Sequence, residues 1–443
     1  MHQPKIHIAP GRLPETWDRP TVFFANLGSL FFGNQPATVA LREMLGGTLD
    51  SYGGRLASIL NLLFQSDEAN NLLVIDRPPQ PELIRYHSEC LGLTIPDLLI
   101  ADQDHYDLPE NLEIIDHAGA SWIDGFVTDS RLQGIADRCG MHCFSTPEGS
   151  RLANNKLAFH RELERIGLPT FPTEIAQDQA DLPRCLSNLA SQGYRFAAIK
   201  AQIGASGIGV IRCETRATAE IPDLMFHEGA CLVQGWIEPG IKAVRHIHSP
   251  SVQIFVGDSD VTLFDTTDQI LDHQSVHEGN LAPPHDQETL TDEQIQLLNQ
   301  AKAIVPWLYA TGYRGPASID FHVARRGEAT DIRACEINAR VTGATYPSLL
   351  ARHFQHNGAW LMRNLALPVP LAGSQILDIL DRNNSLFSPG AERGCLPINL
   401  NTDRAGNITK GQFLFLGANI DEVSDQLTEL VSHPKINLHY DRD

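Results

Sequence analysis

The first third of the chain alternates short apolar runs with amphipathic stretches. TVFFANLG, NLLVID, PDLLIAD and WIDGFVTD have the length and aliphatic content of buried strands, and turn formers such as RPPQP close them. ATVALREML, after the first of these strands, has helical spacing. Strands alternating with helices predict a parallel α/β domain over residues 1–149. NLGSLFFGN follows the first strand, where such sheets carry binding loops. It lacks a full dinucleotide fingerprint and serves equally well as a connector.

The pattern changes at STPEGSRLANNKLAFHRELERIGLPTFPT. Helical periodicity from about Ser150 to Ile166, stopped by Gly167-Leu168-Pro169, predicts a helix. A mixed α/β region follows, and LPVPLAG reads as a boundary. Beyond it the sequence predicts short strands such as GQFLFLG and one amphipathic helix, IDEVSDQLTELVSH. There is no internal repeat, and no apolar run approaches the length of a membrane span.

Polar chemistry gathers in two stretches of strand period. In ACEINARVTGATYP, Glu336, Asn338 and Arg340 alternate with Ile337 and Ala339. Side chains at i, i+2 and i+4 of a strand share a face, so the three polar groups point together. GYRGPASIDFHV likewise places Ser318, Asp320 and His322 on one face, and ARRGEAT supplies a turn between the strands. The hairpin sets Asp320 beside Glu336 and Asn338. Two carboxylates and an amide oxygen form a hard oxygen site, suited to Mg²⁺ that keeps its waters and bridges phosphates. Arg340 would hold a transferring phosphoryl group. The competing reading is a solvated face with a surface ion pair; the apolar alternates and the small residues of VTGATYP weigh against it. His322, on the face of Asp320, reads as a hydrogen-bonded structural histidine, with a contact to metal-bound water as the other reading.

FAAIKAQIGASGIGVIR predicts a strand ending at Lys200, then a loop with Gly204, Ser206, Gly207 and Gly209. Glycines let backbone N–H groups wrap a phosphate. No Lys follows the last glycine and a strand follows the loop, so this is neither a P-loop nor a dinucleotide motif. A plain hairpin turn is the alternative. CLVQGWIEPGIK reads as a strand and a linker, either a hinge whose backbone meets an adenine edge or an ordinary edge strand.

Charge and composition narrow the classes. A chain of 443 residues, 42% hydrophobic and 20% charged, is globular and long enough for two to four domains. Lys and Arg number 34 against 54 Asp and Glu, a net charge of −20. That argues against nucleic acid or an anionic membrane surface as a partner, but not against a local basic pocket. Eight cysteines in this length are no disulfide framework, and Cys139 and Cys143 of CGMHC read as ordinary thiols rather than a zinc pair. The N-terminal residues lack an apolar core of signal-peptide length, so a cytoplasmic protein is expected.

The order NNK, AAIK before a glycine loop, LVQGWIEPG, SIDFHV and EINAR resembles the ATP-grasp superfamily of carboxylate–amine ligases over residues 150–350. The resemblance implies a first lobe at 150–234 with a glycine-rich lid and a second lobe at 235–368 with the metal site. It implies a small C-terminal, strand-rich domain at 369–443. ATP and Mg²⁺ are the implied cofactors, with two ions and Mn²⁺ as a substitute. Lys156 then matches the lysine at the α-phosphate, and Lys200 the one near adenine and phosphate. Gly204, Ser206, Gly207 and Gly209 match the phosphate lid; Gln234, Gly235 and Trp236 match the adenine hinge. Asp320, Glu336 and Asn338 match the metal ligands, with Glu336 bridging two ions, and Arg340 matches the arginine at the γ-phosphate. At the family's ribose-binding acid this chain has Ile241 or Lys242, and the nearest acid is Glu238.

VRHIHSPSVQIF, TTDQIL, HEGNLAPP and GATYP are similar to the pheganomycin-type peptide ligases, which join a carboxylate-bearing amino-acid derivative to the amine of an amino acid or peptide. The implied activity is ATP-dependent amide bond formation through an acyl phosphate, with small-molecule carboxylate and amine partners. The oligomeric state is open, a homodimer included, as is the role of the N-terminal domain in donor recognition or dimer contact. Arg245, His246 and Gln269 are substrate-pocket candidates, Gln269 within a polar segment 265–285 read as a substrate loop. Surface or packing roles are the even alternative for Arg245 and His246, and a plain flexible loop is the alternative for the segment of Gln269. A different class, an ATP-binding regulator without turnover, is opposed by the intact Asp320, Glu336, Asn338 and Arg340 set. A bicarbonate-activating carboxylase is opposed by the lack of a Met-Lys biotinyl motif.

Overall fold

The computed structural model describes residues 3–15, 17–65, 71–217, 220–271, 277–284, 290–403, 405–433 and 436. Near the N-terminus five parallel strands stand in the order Asp97–Ile100, Leu72–Ile75, Thr21–Phe24, Trp122–Gly125, His142–Cys143. Thr21–Phe24 and Leu72–Ile75 are buried at every position, as expected of a parallel sheet covered on both faces. Helix Gln35–Leu45 is capped by Asn34, whose side chain accepts from the Ala37 N–H, and has a proline in its first turn. Strand order reverses beside Thr21–Phe24. A crevice of about 190 Å³ opens there, lined in part by Asn26, Gly28 and Ser29 of NLGSLFFGN and by Arg131.

The helix expected from Ser150 to Ile166 is two helices, Pro147–Ala153 and Lys156–Arg165. Asn155 starts the second by accepting from the Ala158 N–H at 2.9 Å. Asn154 leaves the first by donating to the Ser150 and Ala339 carbonyls. Apolar periodicity continues across the break because both helices bury a face, so only the Asn-Asn pair betrays it. The break puts Lys156 in a helix's first turn.

The first lobe is an antiparallel sheet in the order Ile208–Glu214, Phe196–Ala205, Cys231–Gly235, Thr173–Ala176. Helix Leu182–Ser191 packs on it through Leu182, Cys185, Leu186 and Leu189. The glycine loop expected after Lys200 is a β-hairpin: the strand runs on to Ala205 with an irregular register. Ser206 and Gly207 turn it with φ of 53° and 81°, the left-handed pair of a tight hairpin. A Cβ on Gly204 would lie 2.6 Å from the Ile208 carbonyl oxygen, so glycine permits the two arms to close.

Among the described residues the largest sheet has ten strands. Its main path runs His246–His248, Gly315–Arg326, Pro250–Val256, Asp260–Leu271, His277–Ala282, Ala359–Leu371, Ile408–Gly417, Gly394–Thr402. Ala329–Asn338 pairs with Gly315–Arg326, and Lys5–Ile8 pairs with Asp260–Leu271. Segment 265–285, expected as a loop, is instead two paired strands as far as it is described; residues 272–276 and 285 lie outside the described residues. Its polar residues misled because one of them is an interior charge. Asp265 is 0% exposed and accepts from Arg352 Nε and Nη2 and from Trp360 Nε1.

The boundary expected at 368/369 falls inside strand Ala359–Leu371. Pairing is interrupted between Ala366 and Leu371, which is how the prolines of LPVPL are accommodated. Helix Gly373–Arg382 was not anticipated; helix Ile420–Val431 matches the amphipathic stretch. Both ends of the chain share one core: Phe23, Ile75 and Tyr86 belong with Leu396, Phe413 and Phe415.

Candidate active site

The hairpin Gly315–Arg326/Ala329–Asn338 pairs Asp320 with Glu336 and Ser318 with Asn338. Asn338 Nδ2 lies 2.8 Å from Asp320 Oδ2 and 3.5 Å from Glu336 Oε1. The three residues singled out by alternation therefore converge, across the hairpin as well as along it. Arg340 is different, because the strand ends at Asn338 and the Arg340 N–H turns back to the Asn338 carbonyl at 3.0 Å. Asn154 holds its guanidinium, with Oδ1 accepting from Arg340 Nη1 at 2.8 Å and from the Ala339 N–H at 3.1 Å. The helix break thus positions both Lys156 and Arg340.

Lys156 is 7% exposed; its Nζ lies 2.7 Å from Glu336 Oε2 and 3.4 Å from the Gly204 carbonyl. One ammonium joins the helix, the glycine hairpin and the large sheet. Burial works against charge on Glu336, but Lys156, Lys200 and Arg340 outweigh it and hold the carboxyl well below the usual range. Asp320 goes the other way. Burial and the neighbouring Glu336 raise it, against hydrogen bonds from Ser251, Gln269 and Ser318. Ser251 Oγ donates to it at 2.7 Å.

Asp320 is thus short of positive charge, which a divalent cation would supply. Among the described residues no group of three or more His, Cys, Asp or Glu is disposed as a metal cage. Two carboxylates and an amide suit Mg²⁺, which completes its sphere with water and phosphate oxygens. The Asn338 amide directs its NH₂ at the carboxylates; a half-turn offers its oxygen instead.

Lys200 is half-buried, with Nζ 5.5 Å from the Phe171 ring centroid. His322 stands edge-on to the same ring at 5.8 Å. Burial, Lys200 and Arg333 depress its pKa to about 4, so it is neutral at neutral pH.

At the linker, Gln234 Nε2 donates to Thr173 Oγ1 at 3.1 Å. The Gly235 and Trp236 N–H groups donate to the Pro172 and Phe196 carbonyls, each at 2.9 Å, so these two donors are engaged within the lobe. Glu238 pairs with Arg212 at 2.7 Å, and the Arg212 guanidinium carbon lies 5.4 Å from the Trp236 ring centroid. Arg212 was missed in the sequence because only the pairing of Phe196–Ala205 with Ile208–Glu214 brings it there.

Arg245 and His246 are exposed beside the edge of the large sheet. The Arg245 N–H donates to the Arg325 carbonyl, and the His246 ring stacks on His248 at 5.8 Å. The side chains gathered around Asp320 are others. Gln269 is one of them, near enough to oppose the upward shift of that carboxyl. Ser251 is another, through its hydroxyl, whereas Asn154 stands beneath Arg340.

No family model matches the chain. A [butirosin acyl-carrier protein]–L-glutamate ligase of Niallia circulans is 29% identical over 203 residues, covering 44% of this chain and 45% of that protein. The match therefore spans less than half of the relative's length. Among solved structures, N5-carboxyaminoimidazole synthetase from Staphylococcus aureus superposes with a TM-score of 0.54 at 12% identity, covering 99% of this chain and 100% of that one. The biotin carboxylase domain of Hydrogenobacter thermophilus 2-oxoglutarate carboxylase, in complex with MgADP, ADP and bicarbonate, gives 0.56 at 12% identity over 95% and 90%. At such identities the likeness establishes the fold alone.

Proposed function

We propose that this chain, which has the ATP-grasp fold, is an ATP-dependent ligase that activates a carboxylate as an acyl phosphate and transfers the acyl group to an amine. The observation that carries this reading is the contact of Lys156 with Glu336 and with the Gly204 carbonyl, beside Arg340. A cation on one lobe, a carboxylate on the other and a glycine hairpin meet where a triphosphate would lie.

In the first step a carboxylate oxygen attacks the γ-phosphorus, the bond to the β–γ bridging oxygen breaks, and ADP leaves. In the second the amine nitrogen attacks the acyl carbon, the bond from that carbon to the phosphate oxygen breaks, and phosphate leaves as the nitrogen sheds a proton. Lys156 and Lys200 hold phosphate charge. Gly204, Ser206, Gly207 and Gly209 close over the phosphates and exclude water, which would hydrolyse the acyl phosphate. Gln234, Trp236 and Glu238 border the base and ribose. Asp320, Glu336 and Asn338 would hold Mg²⁺, as two ions with Mn²⁺ as a substitute, and the metal would neutralise developing phosphate charge. Arg340, presented by Asn154, faces the γ-phosphate. The Niallia relative is named for L-glutamate, which supports an amino acid as one reactant. We assign the reaction to the cytoplasm; no helix among the described residues is long and apolar enough to cross a membrane.

The test is incubation with MgATP, hydroxylamine and a panel of amino acids and N-acyl or amidino derivatives, reading hydroxamate and ADP together. Hydroxamate that forms with a carboxylate and vanishes in Arg340→Ala is the expected result. Mg²⁺-dependent ATP binding that never yields ADP across the panel would overturn the reading in favour of a regulator.

A further inference from the structure

A second cationic cluster adjoins Arg340, built by the N-terminal segment Gly46–Leu56 and the large sheet. Arg55 is 6% exposed. Its guanidinium carbon lies 4.0 Å from the Tyr52 ring centroid and 5.1 Å from that of Tyr346. Nε donates to the Tyr52 carbonyl at 3.1 Å. The carboxylates paired nearby are committed elsewhere, Asp50 to Arg77 at 3.2 Å and Glu278 to Arg363 at 2.7 Å. Among the described residues no carboxylate is within ion-pair distance of Arg55, nor of half-buried Lys410 on strand Ile408–Gly417. A buried cation without an anion is unfavourable, and aromatic faces recover only part of the lost hydration. The chain carries 54 acidic residues, so acids are not scarce; this position lacks one.

Tyr346 lies within electrostatic reach of both Arg55 and Arg340, which ties the cluster to the phosphoryl site. The His277 ring lies against the turn between Arg340 and Tyr346, where a Cβ on Gly343 would be 3.1 Å from His277 Cε1. Burial, Arg55, Lys410 and Arg363 keep that ring neutral, and Asn280 Nδ2 meets its Nε2 at 2.8 Å. Asn280 is 1% exposed, and its Oδ1 is buried with no hydrogen-bond partner among the described residues. A guanidinium with no carboxylate partner among the described residues and an ammonium therefore lie around one histidine ring. A guanidinium fork matches a planar carboxylate.

We propose that Arg55 and Lys410, with the neutral His277 ring between them and the turn at Gly343, bind a second, non-reacting carboxylate of the acid whose first carboxylate is activated beside Arg340. The donor is then a dicarboxylic or amino-dicarboxylic acid. This inference rests on the ligase reading, and its test is chosen to fail separately from it.

Calorimetric titrations of the full chain with MgADP present would use succinate, glutarate, adipate and L-glutamate, each against its monoamide. At least one dicarboxylate should bind about tenfold more tightly than its amide, the scale of one charge-assisted contact. Arg55→Met and Lys410→Met should each erase that difference without changing MgADP affinity. If Arg55→Met does not fold, Lys410→Met, at a half-exposed site, carries the test. Absence of any dicarboxylate binding, a preference that survives Lys410→Met, or tighter binding of 3-phosphonopropionate than of every dicarboxylate would overturn the proposal. Dicarboxylate binding through these residues with no ADP release would preserve the pocket and remove the ligase. ADP release with monocarboxylates alone would do the reverse.

Discussion

Glu336 keeps its charge in a mostly enclosed setting because Lys156 stands 2.7 Å away, and each loses if the other is removed. In Glu336→Gln the 7%-exposed ammonium has no carboxylate at that distance. The expected cost is about 1–3 kcal/mol, at the low end because Glu336 is 29% exposed, and urea melts would measure it. On the proposed ligase reading, where the same carboxylate holds the metal, ATP turnover should fall by about a hundredfold or more. Turnover near wild type would remove Glu336 from the site. Asp124 makes a different case. It is 6% exposed, and burial pushes its carboxyl up to about 7 against a hydrogen bond from the Gly125 N–H. A folded pKa above the unfolded value of roughly 4 means stability is fully present below pH 4 and lost as pH rises to about 7. Asp124→Asn mimics the protonated form, so its advantage over wild type should be near zero at pH 4, grow to pH 7 and then level off. Melting temperatures of the pair across that range decide it; a difference that does not change with pH would contradict the burial argument. At this scale residue types were legible: alternation in EINAR and SIDFHV named Asp320, Glu336 and Asn338, which the hairpin brings together. Partners were not. Asn154 under Arg340 and Lys156 on Glu336 are contacts between segments far apart in sequence, and periodicity carries no such distance.

Among the elements, the break at Asn154-Asn155 has the largest consequence. Asn155 caps the helix that starts at Lys156, and its Nδ2 also donates to Gln202 Oε1 at 2.8 Å, on the strand that leads into the glycine hairpin. Gln202 in turn donates to the Glu228 and Ala230 carbonyls. Asn155→Ala should therefore cost about 1 kcal/mol of stability from the cap, seen as a lower melting temperature. It should also raise the KM for ATP several-fold, because Lys156 loses its fixed entry into the helix. Asn155→Asp keeps the cap acceptor and loses only the amide donor to Gln202. It should recover the melting temperature but not the full KM; recovery of neither would mean the cap is not what holds Lys156. The Asn-Asn pair was visible in the sequence, yet continuous apolar spacing on both sides overrode it. Segment 265–285 failed for a related reason. The buried Asp265–Arg352 pair and the inward polar residues of Asp260–Leu271 give a strand the composition of a loop.

Across the whole molecule, the two ends of the chain are fastened to each other. Tyr86 Oη donates to the Phe387 carbonyl at 2.7 Å, and His87 Nε2 lies 2.8 Å from the Pro397 carbonyl. Ser51 takes hydrogen bonds from Asn399, Asn401 and the Thr402 N–H. The hydrophobic cluster is continuous across this junction, whereas the first lobe has a core of its own around Leu186 and Val233. Nothing in 1–149 or 369–443 read separately implies that closure, since each segment looks like a complete small unit. Separate domains can unfold separately, but a shared core forbids it. Hydrogen exchange in increasing denaturant should show amides of Phe23–Phe24 and Phe413–Leu416 losing protection together, while first-lobe amides around Ile199 open earlier or independently. Asn399→Ala should lower protection in both end segments equally, although the substituted residue lies in only one of them. MgADP should raise protection of Phe196–Glu214 and Ala329–Asn338, where the proposed phosphate and metal contacts lie. The joint end-segment transition should move far less. Two resolved transitions for the ends would mean the shared cluster does not couple them, and Arg55 would then sit on a part that can move relative to Lys410.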